Sequence, residues 1–241
     1  MSEDGVFTRL KDNGELISAV HDGDVRTEVS IASGGDADFH VGTVTIKHDG
    51  TEVLIAEARV QPMKRGRLDL PATSIHIRGD DFEREIHLFA DQLPGRVLMR
   101  EKGVESEARF DFRTWKLAGV SNIKPAAIPD RIVSAVSPLL STLRAAQDHF
   151  VSVSDGLFSP VLGRPPGGIP ANLVQADAIV FDEGGLEEGG LGLAPGWVCR
   201  AWCWGTAGGG TALCCLGTGG TLCVVCGVAE GVAASICSDG C

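Results

Sequence analysis

The sequence predicts an α+β protein in three parts. These are an N-terminal antiparallel β-meander or sandwich with one helix, a Gly/Pro-rich linker, and a small, disulfide-rich, mainly helical C-terminal peptide. Polar and apolar residues alternate through the first half of the chain, Pro and Gly cluster from Ser152 to Pro195, and every cysteine lies between Cys199 and Cys241. We expect the parts to cover residues 1–151, 152–190 and 191–241.

Charge divides the chain in the same way. Residues 1 to 190 hold 20 of the 21 lysines and arginines and 30 of the 32 aspartates and glutamates. The acidic first part argues against a nucleic-acid partner, because such binding relies on basic side chains that neutralise phosphates. We expect the acidic part and the uncharged tail to act separately, and a chain that ends near Asp155 to fold alone with a cooperative thermal transition.

Turn formers separate the predicted strands. Asn13-Gly14, Asp22-Gly23 and Asp49-Gly50 each place Asn or Asp before Gly, the pair that accepts the positive φ angles of tight hairpin turns. The turn at Asp49-Gly50 marks the clearest hairpin. The predicted strands include Val41 to Lys47, Thr51 to Val60, Ser74 to Arg78, Phe82 to Phe89, Arg96 to Arg100 and Ala108 to Lys116.

A helix is predicted from Pro129 or Ser137 to Phe150. Ile132, Val136, Leu139, Leu140, Leu143 and Phe150 recur at intervals of three and four residues and form one apolar stripe. Ser137-Pro138 resembles an N-cap followed by a first-turn proline, so the helix is expected to restart or kink there. We expect it to pack on the sheet.

The first part carries no pattern of a catalytic site. We find no Gly-rich phosphate loop, nucleophile elbow or helical pair of carboxylates, which predicts no enzyme activity, catalytic residue, cofactor or metal ligand. Arg78-Gly79-Asp80 matches an adhesion tripeptide, but an acidic turn between strands explains it as well. The histidines are interpreted as surface or turn residues because they lack ligand-like spacing: His21, His40, His48, His76, His87 and His149.

The cysteines predict a disulfide framework. A short segment with little core of its own gains stability from cystines, and eight cysteines allow 105 pairings. Two pairs, Cys199 with Cys203 and Cys237 with Cys241, have the i, i+4 spacing that puts both thiols on one side of a helix. Antiparallel helices would join Cys199 to Cys241 and Cys203 to Cys237, whereas a parallel arrangement would join them the other way. The candidate disulfide residues are Cys199, Cys203, Cys214, Cys215, Cys223, Cys226, Cys237 and Cys241.

Other interpretations of the tail remain open. Cys223-Val-Val-Cys226 has the two-residue gap of a zinc knuckle or redox pair, although the tail has no histidine. The uncharged run from Ala201 to Ala229 is long enough to span a membrane, although its glycines weaken a lone helix. Thioether crosslinks are a further option, because hydroxyl residues lie between the thiols: Thr206, Thr211, Thr218, Thr221, Ser235 and Ser238.

Two Gly-Gly steps precede the cysteines. Glu187-Glu188-Gly189-Gly190 resembles the double-glycine end of peptide-bacteriocin leaders, where a transporter-borne protease cuts, and Gly184-Gly185 is an alternative site. The amino terminus contains Glu3 and Asp4 and no apolar run, so we expect neither a secretory nor a twin-arginine signal and a precursor that starts in the cytoplasm. Because cytosolic thiols are kept reduced, the cysteines indicate that the tail is secreted.

The tail as a whole resembles the cysteine-rich haloarchaeal peptide antibiotics, the microhalocins, and their bacterial relatives. The resemblance covers the last fifty or so residues, which are rich in Gly, Ala and Cys and end in Cys237-Ser-Asp-Gly-Cys241. It implies that the carboxy-terminal piece is a toxin that acts on a target-cell membrane, and that the first part is its leader, carrier or immunity protein. The alternative is a non-toxin protein whose tail is a membrane anchor or a metal-binding module.

Overall fold

The structure, a computed structural model, describes residues 5–22, 24–36, 38–63, 69–90, 94–111, 116–118, 127–153 and 196–241. Within these ranges ten strands form one antiparallel sheet in which each strand pairs with the next along the chain. This α+β architecture confirms the predicted fold class, with the meander rather than the sandwich. The strands are β1 (Gly5–Leu10), β2 (Leu16–Asp22), β3 (Val25–Gly35), β4 (His40–His48), β5 (Thr51–Val60), β6 (Thr73–Gly79), β7 (Phe82–Phe89), β8 (Gly95–Glu101), β9 (Val104–Asp111) and β10 (Lys116–Ala118).

The turns predicted at Asn13-Gly14 and Asp49-Gly50 are confirmed, whereas Gly23 of the predicted Asp22-Gly23 turn lies outside the described residues. Asp49 and Gly50 have φ angles of 50° and 71°, and they join β4 to β5 with His48 opposite Thr51. The predicted single strand from Ala108 to Lys116 is wrong, because β9 ends at Asp111 and the chain returns so that Lys116 pairs with Asp111.

The helix after the sheet restarts as predicted. It consists of α1 (Asp130–Val136), a 3₁₀ turn (Ser137–Leu139) and α2 (Leu140–Val153). The predicted capping role of Ser137 is wrong. Its hydroxyl donates to the Val133 carbonyl oxygen at 2.8 Å, so it closes the last turn of α1 instead of capping the next segment.

The tail folds as two helices, α3 (Gly196–Gly217) and α4 (Cys223–Asp239). We call residues 196–241 the cystine hairpin. Helix α4 packs on β3, β4 and β5 and on α2, whereas α3 packs on β5, β6 and β7. The hairpin covers the sheet face on which side chains such as Val44, Ile46 and Ile77 are buried.

The cystine hairpin and the sheet therefore share one hydrophobic core. Leu213 and Val228 of the hairpin are as fully buried as Ile46 of the sheet. The physical reason is that α4 is apolar on nearly all sides, and such a helix must be covered by other protein or by lipid. The predicted boundaries at residues 151 and 190 stay predictions. Helix α2 continues past the first to Val153, and the second lies outside the described residues.

A glycine sets the distance between α4 and the sheet. A Cβ added to Gly42 of β4 would lie 2.9 Å from both Ala233 N and Val232 Cβ, and it would also collide with the Ala229 carbonyl oxygen. A Cβ added to Gly34 of β3 would have open space around it, with nothing within 4 Å. Only a residue without a side chain fits at position 42.

We expect Gly42→Ala to lower the free energy of unfolding by about 1–3 kcal/mol, because the overpacked helix must move away from the strand. Gly34→Ala is the matched control and should change stability by less than about 1 kcal/mol. Urea unfolding of both variants with the cystines intact measures this. Equal midpoints for the two variants would show that α4 does not dock closely on β4.

Candidate functional site

The turn of the cystine hairpin is made by two glycines. Gly219 and Gly220 have φ angles of 61° and 87°, which L side chains adopt at a cost, and they reverse the chain between α3 and α4. Gly208, Gly209 and Gly210 lie inside α3, although a run of three glycines favours a turn. The long uncharged run from Ala201 to Ala229 is therefore folded back on itself.

Four cystines staple the two helices, and all eight cysteines take part. The pairs are Cys199–Cys241, Cys203–Cys237, Cys214–Cys226 and Cys215–Cys223, with Cα–Cα distances of 5.7, 5.8, 6.4 and 4.6 Å. Each pair lies inside the previous one along the chain, so the bonds form a nested ladder from the open end to the turn. No cystine connects the hairpin to the sheet.

The outer two bonds are those expected for antiparallel helices, so that prediction is confirmed. The Cys223-Val-Val-Cys226 pair does not form a bond of its own, because Cys223 joins Cys215 and Cys226 joins Cys214. Both partners lie on the other helix. The structure places every cysteine in a cystine, and thioether crosslinking to the hydroxyl residues of the tail stays a prediction.

Polar contacts orient the hairpin on the sheet. The indole Nε1 of Trp202 donates to the carbonyl oxygen of Gln61 at 2.9 Å. Arg84 faces inward from β7 and is only 3% exposed. Its guanidinium donates from Nη1 to the carbonyl oxygen of Gly217 and from Nη2 to the carboxylate of Glu101. A guanidinium at the carboxyl end of α3 satisfies a terminal carbonyl and opposes the negative end of the helix dipole.

A buried carboxyl makes the third contact. Thr73 Oγ1 of β6 lies 2.9 Å and 3.0 Å from the two carboxyl oxygens of Glu230 on α4. Burial is the larger effect on this group and raises the pKa of Glu230 well above its ordinary value, while the hydrogen bond from Thr73 lowers it in part. Sequence analysis missed Thr73, Arg84 and Glu230. The only signal for Glu230 was an acidic residue in the middle of an otherwise apolar helix.

The open end of the hairpin brings three sulfur atoms together. The Sγ atoms of Cys199, Cys203 and Cys241 lie within 4.8 Å of one another. Because these atoms belong to two cystines, metal binding there would first require reduction.

Among the described helices, none is long and apolar enough to cross a membrane.

The remaining sequence candidates have separate positions. Asp80 forms an ion pair with Arg131 in the turn after β6, which accounts for the Arg78-Gly79-Asp80 tripeptide as a structural feature. The expected cleavage residues Gly184, Gly185, Gly189 and Gly190 lie outside the described residues. Among the histidines, His76 pairs with Glu83 of the neighbouring strand at 2.9 Å, and His48 Nδ1 lies 3.0 Å from Thr27 Oγ1.

No family model, curated protein or solved structure matches the chain. The residues of the site form an apolar helical hairpin, held by internal cystines and bound to a sheet by packing and by a few polar contacts.

Proposed function

We propose that the chain is the precursor of a secreted, disulfide-stapled antimicrobial peptide that proteolysis releases from the carboxyl end. The observation that supports this most strongly is that all four cystines lie inside the hairpin. A single cut before Gly196 would leave no covalent bond between the hairpin and the sheet. The released peptide would keep its own framework.

The sheet supports a role as carrier or immunity protein for this peptide. The apolar sides of α4 that would otherwise face water, including Val225, Val228 and Val232, are buried in the precursor. An apolar, cystine-stapled hairpin has the surface that partitions into a lipid bilayer, so a target-cell membrane is its proposed partner. While the sheet covers that surface, the peptide cannot present it to the membrane of the producing cell.

The processing partner is proposed to be a protease or peptidase-transporter that reads a Gly-Gly step. A cut after Gly190 frees residues 191–241, and a cut after Gly185 frees residues 186–241. Both products contain every cysteine. The precursor is proposed to be cytoplasmic and the peptide to be secreted, where an oxidising environment preserves the cystines.

Intact mass of the material in the medium of producing cells tests this proposal. We expect a peptide that begins at Leu191 and that gains two hydrogens for each of its four cystines on reduction. Gly190→Val should block this product, and Gly185→Val is the matched control that should leave it unchanged. Recovery of full-length chain alone, in both cells and medium, would contradict the proposal.

The alternative is a non-toxin protein whose tail stays attached as a membrane anchor or metal-binding module. The sulfur cluster of Cys199, Cys203 and Cys241 favours the metal-binding form, because thiolates are ligands for zinc. Stoichiometric zinc in chain purified under reducing conditions would support that form. Carbonate-resistant membrane association of the uncut chain would support the anchor.

A further inference from the structure

Glu230 occupies a pocket that three elements build around it. It is 1% exposed, and its hydroxyl partner Thr73 is fully buried. Gly210 of α3 makes room for the carboxyl, since a Cβ there would lie 3.0 Å from Glu230 Cδ and would collide with Oε1. The carboxyl therefore lies where α3, α4 and the sheet meet.

The hydrogen bonds of Thr73 indicate which form of the carboxyl fits. Thr73 Oγ1 also lies 3.1 Å from the carbonyl oxygen of Arg59, a group that can only accept. A hydroxyl has one hydrogen, so it cannot donate both to this carbonyl and to an ionised carboxylate. If Glu230 carries a proton, the carboxyl donates to Thr73 and Thr73 donates to Arg59. The Thr73 hydroxyl then accepts one hydrogen bond and donates one, and the Arg59 carbonyl oxygen keeps Thr73 as its donor.

No charged partner compensates an ionised Glu230 within the described residues. Its only hydrogen-bond partner is Thr73, and burying an unpaired carboxylate is costly. Arg84 of β7 is buried, but its guanidinium donates to Gly217 and Glu101. The titratable side chains on the other elements packed around Glu230 are exposed or half-buried, and none of them hydrogen-bonds to it. They are Arg26 and Glu28 on β3, His40, Lys47 and His48 on β4, Glu52, Glu57 and Arg59 on β5, His76 and Arg78 on β6, Arg144 and Asp148 on α2, Arg200 on α3 and Asp239 on α4.

We propose that Glu230 and Thr73 form a proton-linked recognition contact, through which the sheet accepts the hairpin with the Glu230 carboxyl protonated, so that docking takes up one proton. Thr73 of the sheet accepts the hydrogen bond from the neutral carboxyl. Gly210 of the hairpin leaves the space that the carboxyl occupies. This contact belongs to the uncut chain and does not depend on the proposed cleavage.

The sign of the pH dependence follows from proton uptake. In the undocked hairpin Glu230 ionises at its ordinary pKa of about 4.3. Above that pH the docked state holds one proton more than the undocked state, so raising the pH weakens docking by up to about tenfold per unit until the raised pKa of the docked group is reached. Below it, this group makes no pH-dependent contribution. High pH favours release of the hairpin from the sheet, and low pH favours retention.

Urea unfolding of the full chain, with cystines intact and pH varied from about 4.3 upward, tests the proposal against Glu230→Gln. The glutamine is neutral at every pH and can still donate to Thr73. The wild-type unfolding equilibrium constant should rise relative to that of the variant by up to about tenfold per pH unit. Parallel profiles for the two proteins would overturn the proposal.

Two further measurements keep the test decisive if Glu230→Gln does not fold. Infrared spectra of the wild-type chain at neutral pH should show the carbonyl band of a buried protonated carboxyl, and this band should disappear when urea undocks the hairpin. Its absence at neutral pH would overturn the proposal. Thr73→Ser keeps the hydroxyl and should keep the wild-type pH profile, whereas Thr73→Val removes the hydroxyl and should change it. Identical profiles for these two variants would rule out Thr73 as the recognising residue.

Discussion

A chain that stops at Val153 is expected to lose the cooperative unfolding transition of the full-length protein. Removing residues 196–241 uncovers the inward face of the sheet, where Val44, Ile46, Ile77 and Ile86 are almost fully buried. Each such side chain contributes about 1.5–3 kcal/mol when buried, and whole-domain stability is only about 5–15 kcal/mol. The loss of a few of them is enough to remove the margin of stability.

Circular dichroism melts and binding of a hydrophobic dye measure this effect. The truncated chain should bind the dye and melt without a sharp transition. The control is the full-length chain cut at a protease site engineered between residues 175 and 190, in which both pieces are still present. It should elute as one complex and melt cooperatively. A truncated chain that melts as sharply as the full-length protein would instead support the separately folding first part expected from sequence.

Removing both outer cystines is expected to have the second-largest effect. Cys199 and Cys241 are 42 positions apart, and a loop of that length alone would contribute about 4 kcal/mol in the chain-entropy account. Because the Cys203–Cys237 bond still closes most of that loop, removing the Cys199–Cys241 bond alone opens only the remaining ring of about eight residues. The free energy of unfolding should then fall by about 2.5 kcal/mol. Replacing all four outer cysteines by serine removes every crosslink between the open end of the hairpin and Cys214–Cys226. This should lower the free energy of unfolding by up to about 6 kcal/mol.

Urea unfolding of the fourfold serine variant against the wild type, both oxidised, measures the difference. After full reduction the two chains should converge in stability, which separates the effect of the bonds from that of the substitutions. Peptide mapping of the oxidised wild type without reductant should recover Cys199 linked to Cys241 and Cys203 linked to Cys237. A fragment that links Cys199 to Cys203 would contradict the antiparallel hairpin.

Features that depend on neighbouring residues could be predicted from the sequence. Period-two alternation predicted the strands from β4 to β8, and Asp49-Gly50 predicted the turn between β4 and β5. The i, i+4 spacing of the outer cysteines predicted their pairing, once the helices were taken as antiparallel. These signals are short-range, because turn geometry and helical spacing need no knowledge of the rest of the chain.

The packing of the cystine hairpin on the sheet could not be predicted from the sequence, because it depends on contacts between distant parts of the chain. An apolar helix such as α4 has the same composition whether protein or lipid surrounds it, so its place in the core of the sheet could not be inferred from sequence. Thr73 and Glu230 are 157 positions apart, and Arg84 and Gly217 are 133 apart. Neither pair forms a local pattern. These contacts exist because a sheet with one apolar face and a hairpin with too little core of its own each bury the other, which fixes the few polar groups between them.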